Sequence, residues 1–214
     1  MANEEGTHRE GLMDQSLGDS AGVRSYYDRW TPSYEADVLS WGYEAPQAAA
    51  EFLAERLDPE AQILDAGCGT GLVGRALNAK GFHDVVGVDI SSDSLDLAAK
   101  TTAYRALTEA DFSELPVNLL DDSFGAVVSV GVLSYLSNLE EVLREFCRVV
   151  EPSGIIVVTE RTDLFKERKT GEVFEALQAD ETWKILTVTN PQPYIPGHPE
   201  FADIDVHFGV FEAL

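Results

Sequence analysis

The sequence predicts an α/β domain built on a doubly wound, mostly parallel sheet, preceded by a helical segment and closed by an antiparallel strand pair. Three observations carry this. From Ala61 to Glu160, short apolar runs alternate with runs of helical period. The first apolar run, "AQILDAG", enters a glycine cluster that leads directly into a helical pattern. Near the C-terminus, two strand-like runs follow one another with no helix between them. Strands separated by helices imply right-handed crossovers and a sheet covered on both faces. Strands joined without a helix imply antiparallel pairing.

Each element has its own warrant. Residues 1–22, "MANEEGTHREGLMDQSLGDSAG", are polar and acidic, so they read as a flexible leader and not as a signal peptide. From Val23 to Leu57 the pattern is helical in two or three pieces. "RSYYDRWTPSYEADVLSWGY" is densely aromatic, and "APQAAAEFLAERL" keeps helical spacing until Asp58-Pro59 stops it. "AQILDAG" is the first strand, and "GLVGRALNAKG" is a helix closed by Gly81. "HDVVGVDIS" is the second strand, with "SDSLDLAAKTTAY" as its capped helix. "YRALTEADFSEL" holds a short third strand ending near Ala110, and "FGAVVSVGVLSYL" is the fourth with its exit loop. "LEEVLREFCRVVEPSG" is an amphipathic helix stopped by Pro152 and Gly154, and "GIIVVTER" is the fifth strand. A helix at "GEVFEALQADE" precedes the last two strands, "WKILTVTN" and "DIDVHFGVFEAL", which a proline-rich loop separates. One domain is expected over residues 23–214.

The bulk numbers exclude several function classes. Fifteen Lys plus Arg against 38 Asp plus Glu give the 214-residue chain a net charge of −23. A field of that sign repels phosphate backbones, so no nucleic-acid partner is expected. No stretch approaches the roughly 20 apolar residues of a membrane helix, so no membrane partner is expected either. Cys68 and Cys147 have no C-x-x-C partner and no neighbouring His, which argues against structural zinc and for free thiols in the cytosol or nucleus. A cytoplasmic monomer is the expectation.

The glycine cluster admits two registers. From Gly69, "GTGLVG" fits the dinucleotide fingerprint G-x-G-x-x-G. From Asp65, a carboxylate precedes glycines at alternate positions, Gly67, Gly69 and Gly71. Asp89 follows Gly69 by about 20 residues and suits the ribose hydroxyls in either register. Three features favour the second register. Asp65 would stand badly beside a pyrophosphate but well beside an ammonium group, directly or through water. Asp111, in "EADF", suits an adenine amino group, leaving the Phe112 amide for a ring nitrogen. The antiparallel ending is foreign to a six-stranded parallel dinucleotide sheet.

On these residues the chain resembles the class I S-adenosylmethionine-dependent methyltransferases, which have a Rossmann-like fold. "ILDAGCGTGLVG" is similar to that family's first motif, "VVGVDIS" to its second and "ALTEADFSELP" to its third. "FGAVVSVGVLSYL" and "REFCRVVEPSGIIVVTE" resemble the fourth motif and the segment after it. "YYDRWTPSYEADVLSWGYEAP" resembles the group named after the Williams–Beuren chromosomal region, in which this segment packs over the cofactor. One departure is Gly125, where the family usually has Asp; a lost local capping interaction is expected there.

The resemblance implies S-adenosyl-L-methionine as cofactor and Asp65, Gly67, Cys68, Gly69, Gly71, Asp89, Ile90, Asp111, Phe112, Val130 and Tyr27 as its site. It divides the domain into a helical lid (23–57), a cofactor-binding half (58–160) and a substrate-side helix with antiparallel strands (161–214). Cys68 reads chiefly as a space-filling thiol, and the aromatics Tyr26, Trp30, Tyr34, Trp41 and Tyr43 as lid and core packing. His83 reads as a surface turn, His8 as leader and His207 as structural, while His198 lies on the expected substrate side. No residue is assigned a catalytic role. The acceptor is a small molecule or protein side chain attacked through O, N or S. The alternatives are a non-catalytic S-adenosylmethionine-binding protein or sensor, and an NAD(P)-dependent oxidoreductase.

Overall fold

The structure, a computed structural model, describes residues 20–198 and 201–214. Its strands are β1 (Ile63–Ala66), β2 (Val85–Asp89), β3 (Ala106–Glu109), β4 (Phe124–Ser129), β5 (Val150–Arg161), β6 (Trp183–Val188), β7 (Gln192–Pro193) and β8 (Asp205–Ala213). Its helices are α1 (Ser20–Ser40), α2 (Ala45–Ala54), α3 (Leu72–Ala79), α4 (Ser92–Lys100), α5 (Leu139–Val149), α6 (Thr162–Glu167) and α7 (Thr170–Ala179). One sheet runs in the order β3-β2-β1-β4-β5-β8-β6, with β7 against β8. Strands β1 to β5 pair in parallel, and β8 is antiparallel to both β5 and β6. The mostly parallel sheet with an antiparallel ending is therefore as the residue pattern predicts.

Burial explains why the central strands β1 and β4 are largely apolar instead of alternating. Every residue of β1 and β4 is buried, because helices cover both faces. Leu53 of α2 and Leu77 of α3 join one apolar cluster with Ile63, Val85 and Val157. Leu143 and Phe146 of α5 and Phe174 of α7 join the other with Leu64, Val127 and Ile156. On the second face Trp183 stacks on Phe211 at 3.7 Å, fixing the antiparallel pair to the core.

Several local expectations change. Helix α1 is continuous from Ser20 through Pro32, not broken into pieces, and starts ahead of Val23. The Thr31 hydroxyl donates to the Tyr27 carbonyl at 2.7 Å beside that proline, supplying a bond within the turn that the proline interrupts. Pro152 and Gly154 do not separate α5 from a later strand. β5 begins at Val150, and the residues between Val150 and Ile155 bulge out opposite Gly125. Helix α6 and the two-residue β7 have no counterpart in the sequence reading. Most of the expected leader, with His8, lies outside the described residues. Among the described residues, no helix is long and apolar enough to cross a membrane.

Candidate functional site

At the C-terminal edge of β1, β2 and β4, where parallel α/β sheets place their ligands, lies a cavity of about 650 Å³. Its floor comes from the glycine loop between β1 and α3. Gly67 and Gly69 adopt φ of +82° and +50°, a conformation most side chains avoid. A Cβ on Gly67 would lie 2.2 Å from Val132, so the loop needs glycine there to pack. A Cβ on Gly69 would meet nothing within 4 Å. Gly69 therefore bares its backbone to the cavity. Beside it, the Thr70 hydroxyl is buried on the cavity wall without a hydrogen-bond partner among the described residues.

Asp89 ends β2 and shapes that loop. Its Oδ2 accepts from the Gly69 amide at 2.8 Å and its Oδ1 from the Ser91 amide at 2.9 Å. Burial pushes its carboxyl pKa up, and these amides hold it back. Ser91, not Asp89, caps α4, its hydroxyl accepting from the Ser94 amide. Asp111 follows β3 on the cavity wall and accepts from the Ser113 amide at 2.8 Å. Burial raises its carboxyl, but hydrogen bonds from Ser20 and Ser113 outweigh that and bring it below its ordinary value.

The roof is aromatic. Tyr27, Trp30 and Tyr34 of α1, with Trp41 and Tyr43 after it, line the cavity together with Tyr135 and Tyr194, Tyr27 packing edge-on to Tyr135 and Tyr43 to Tyr194. Burial raises the hydroxyl pKa of Tyr27, Tyr34, Tyr43, Tyr135 and Tyr194. These phenols stay neutral at neutral pH. The residues of α1 have polar ties to the sheet half, Asp28 to Ser91, Thr31 to Ser94, Glu35 to Arg75 and Arg24 to Glu109. The two ion pairs are partly exposed and contribute little, so burial of Tyr26, Trp30 and Val38 does most of the anchoring.

Of the predicted site residues, Gly67, Gly69, Asp89, Ile90, Asp111, Phe112, Val130 and Tyr27 share this cavity wall. Asp65, Cys68 and Gly71 do not. Asp65 is fully buried behind the loop, its Oδ2 accepting from the Tyr104 hydroxyl at 2.7 Å and its Oδ1 without a partner. Of the two routes expected of Asp65, direct contact or contact through water, its position off the cavity wall leaves no direct one in this arrangement. Cys68 is buried, and burial pushes its thiol well above the ordinary range, which suits the space-filling reading. Gly71, at φ +98°, packs against Thr101, Tyr104 and Ala98 at the end of α4. Gly74, which completes the dinucleotide pattern, leaves room for a ring: its Cβ would lie 2.4 Å from Tyr104. That accounts for the glycine without any pyrophosphate.

His198 is buried between Trp41 and Phe201, away from the cavity wall. The ring nitrogen of His207 bonds the Thr189 carbonyl at 2.8 Å, which is structural. Gly125 stands where an Asp side chain would start 3.5 Å from the Glu151 carboxylate. The sequence reading missed Thr70, Tyr104, Tyr135 and Tyr194. Tyr135 ends a single 3-10 turn, Leu133–Tyr135, and Tyr194 lies in a loop, and no periodicity announces the return of either to the sheet edge.

Residues 64–158 match the family described as a methyltransferase domain. The chain is 36% identical over 150 residues to methyltransferase-like protein 27 of Homo sapiens, covering 69% of this chain and 61% of that protein. It is 34% identical over 142 residues to a malonyl-[acyl-carrier protein] O-methyltransferase of Hamiltonella defensa, covering 66% of this chain and 49% of that protein. The chain thus spans less than two thirds of either relative. In fold it resembles the [4+2]-cyclase SpnF, with a TM-score of 0.69 at 18% identity over 91% of this chain and 96% of that one. Together with the ordered sheet and its glycine loop, these matches support a methyltransferase domain over residues 64–158 of the class I S-adenosylmethionine-dependent kind.

Proposed function

We propose that this chain transfers a methyl group from S-adenosylmethionine to a small-molecule acceptor. The observation that carries the reading is the single cavity wall shared by Gly67, Gly69, Asp89, Asp111 and Phe112. The residues fit the cofactor. The open space above Gly69 accepts a ligand that a side chain would displace, and the Thr70 hydroxyl offers a free polar atom at the loop. In this reading Gly67, Gly69 and Thr70 receive the amino-acid end. Asp89 accepts from the ribose hydroxyls, Asp111 and the Phe112 amide bind the adenine edge, and Ile90, Val130 and Tyr27 pack on its faces. Asp65 acts from behind the loop.

When bound, the cofactor supplies an electrophilic methyl on a sulfonium. The protein aligns the acceptor with it and excludes water. The aromatic roof supplies both, its rings being a rigid apolar surface with hydroxyls at the edge. The carboxylates Asp89 and Asp111 accept from backbone amides, and the tyrosines on the wall are neutral. None of these is a ready base, which favours an acceptor that needs no proton removed at neutral pH: a weakly basic amine, a thiolate or a carboxylate. The enclosed position of the cavity under α1 favours a small molecule over a folded protein. The residue division stands as proposed above, with 23–57 as lid, 58–160 holding the cofactor and 161–214 on the acceptor side. The test is incorporation of labelled methyl from S-adenosylmethionine into a metabolite extract. A labelled small molecule supports the reading. Tight cofactor binding with no incorporation would favour the sensor instead.

A further inference from the structure

Tyr104 lies between α4 and β3, outside every motif, and off the cavity wall. Its hydroxyl donates to Asp65 Oδ2 at 2.7 Å and accepts from the Gly74 amide at 3.1 Å. It therefore bridges the end of β1 and the first turn of α3, the two supports between which the glycine loop hangs. Its ring fills the space that glycine leaves at two further places. A Cβ on Gly87 would lie 2.9 Å from the ring, and one on Gly71 3.2 Å from it. We infer that Tyr104 is a positioning residue of the cofactor site, setting the glycine loop and holding Asp65 in its charged form through one shared hydroxyl. This rests on the reading that the cavity binds S-adenosylmethionine.

The charge on Asp65 follows from its surroundings. Burial pushes its carboxyl up, the Tyr104 hydroxyl pulls it down and the charge of Asp89 pushes it up, leaving it at about 7. Cys68, the other titratable neighbour, has its own thiol raised by burial and then by Asp65 and Asp89, so it stays neutral. Replacing Tyr104 by Phe keeps the ring over Gly74 and Gly87 and deletes both hydrogen bonds. The carboxyl of Asp65 then loses the one contact that favours its ionised form.

The experiment is calorimetric titration with S-adenosylhomocysteine from pH 6 to 8.5, on wild type, Tyr104→Phe and Asp65→Asn, each checked for folding by circular dichroism. In the wild type, affinity falls as pH drops through about 7, as Asp65 takes up its proton. In Tyr104→Phe the fall begins at least about one pH unit higher, leaving affinity at pH 7 at least about fivefold weaker, as loss of a charge-assisted hydrogen bond implies. In Asp65→Asn the pH dependence disappears. If Tyr104→Phe binds like wild type at every pH, or weakens equally at every pH, the tyrosine is packing alone and the inference fails. If Asp65→Asn keeps the wild-type profile, Asp65 is not the titrating group and the inference fails even where Tyr104→Phe does not fold. A wild type that does not bind overturns the proposed function instead.

Discussion

Asp89→Ala separates binding from folding with numbers that follow from its contacts. The carboxylate accepts from the Gly69 amide at 2.8 Å and the Ser91 amide at 2.9 Å. Without it, two partly buried amides lose their acceptor, at about 1 kcal/mol each. For a domain of this size about 2 kcal/mol lowers Tm by roughly 4–8 °C. On the proposed reading the ribose hydroxyls lose their acceptor as well, and bonds to a charged group contribute about 1.5–3 kcal/mol, so Kd rises at least about tenfold. Scanning fluorimetry reads the first effect and calorimetry with S-adenosylhomocysteine the second. A folded Asp89→Ala protein of unchanged affinity would refute the placement of the ribose. An unchanged Tm would refute the claim that this carboxylate shapes the loop.

Other predictions test other links. Gly69→Ala meets no atom within 4 Å and pays only for its positive φ, about 1 kcal/mol, whereas Gly67→Ala collides with Val132 and is less stable in urea melts. Gly74→Ala, whose Cβ would lie 2.4 Å from Tyr104, also unfolds at lower urea than wild type. The folded pKa of Asp65, about 7, lies above its unfolded value of about 3.9, so the folded chain binds that proton more tightly. Wild-type stability relative to Asp65→Asn therefore declines as pH rises from about 4 to about 7 and levels off above; a difference that grows with pH in the opposite sense would contradict the burial of this carboxyl. Trypsin cleavage at Arg24 and Arg29, in the first turns of α1, slows with S-adenosylhomocysteine bound if α1 is the lid; equal rates with and without ligand would make it static core.

The fold was readable because β1, β2 and β4 are short apolar runs and β5 holds one, and a buried parallel sheet requires such runs. Boundaries failed where a tertiary contact overrode a local signal. Pro32 does not break α1 because the buried Tyr26, Trp30 and Val38 on either side hold one helix against the sheet. Pro152 and Gly154 lie in a bulge that leaves β5 paired with β4 at both ends. At the site, spacing located the residues at strand ends, Gly67, Gly69, Asp89 and Asp111, since topology alone sends those ends to one edge. It did not reveal that Asp65 is turned behind the loop, because the cause is Tyr104, a residue 39 positions away. Nor did it reveal Tyr194, which reaches the roof through an irregular loop.

The most direct test of the central claim is a pair of calorimetric titrations of the wild-type chain, one with S-adenosylhomocysteine and one with NAD. On the proposed reading, in which Gly74 makes room for Tyr104 and Asp111 takes the adenine edge, the site binds S-adenosylhomocysteine with one-to-one stoichiometry and gives no heat with NAD. Saturable NAD binding with no response to S-adenosylhomocysteine would contradict it.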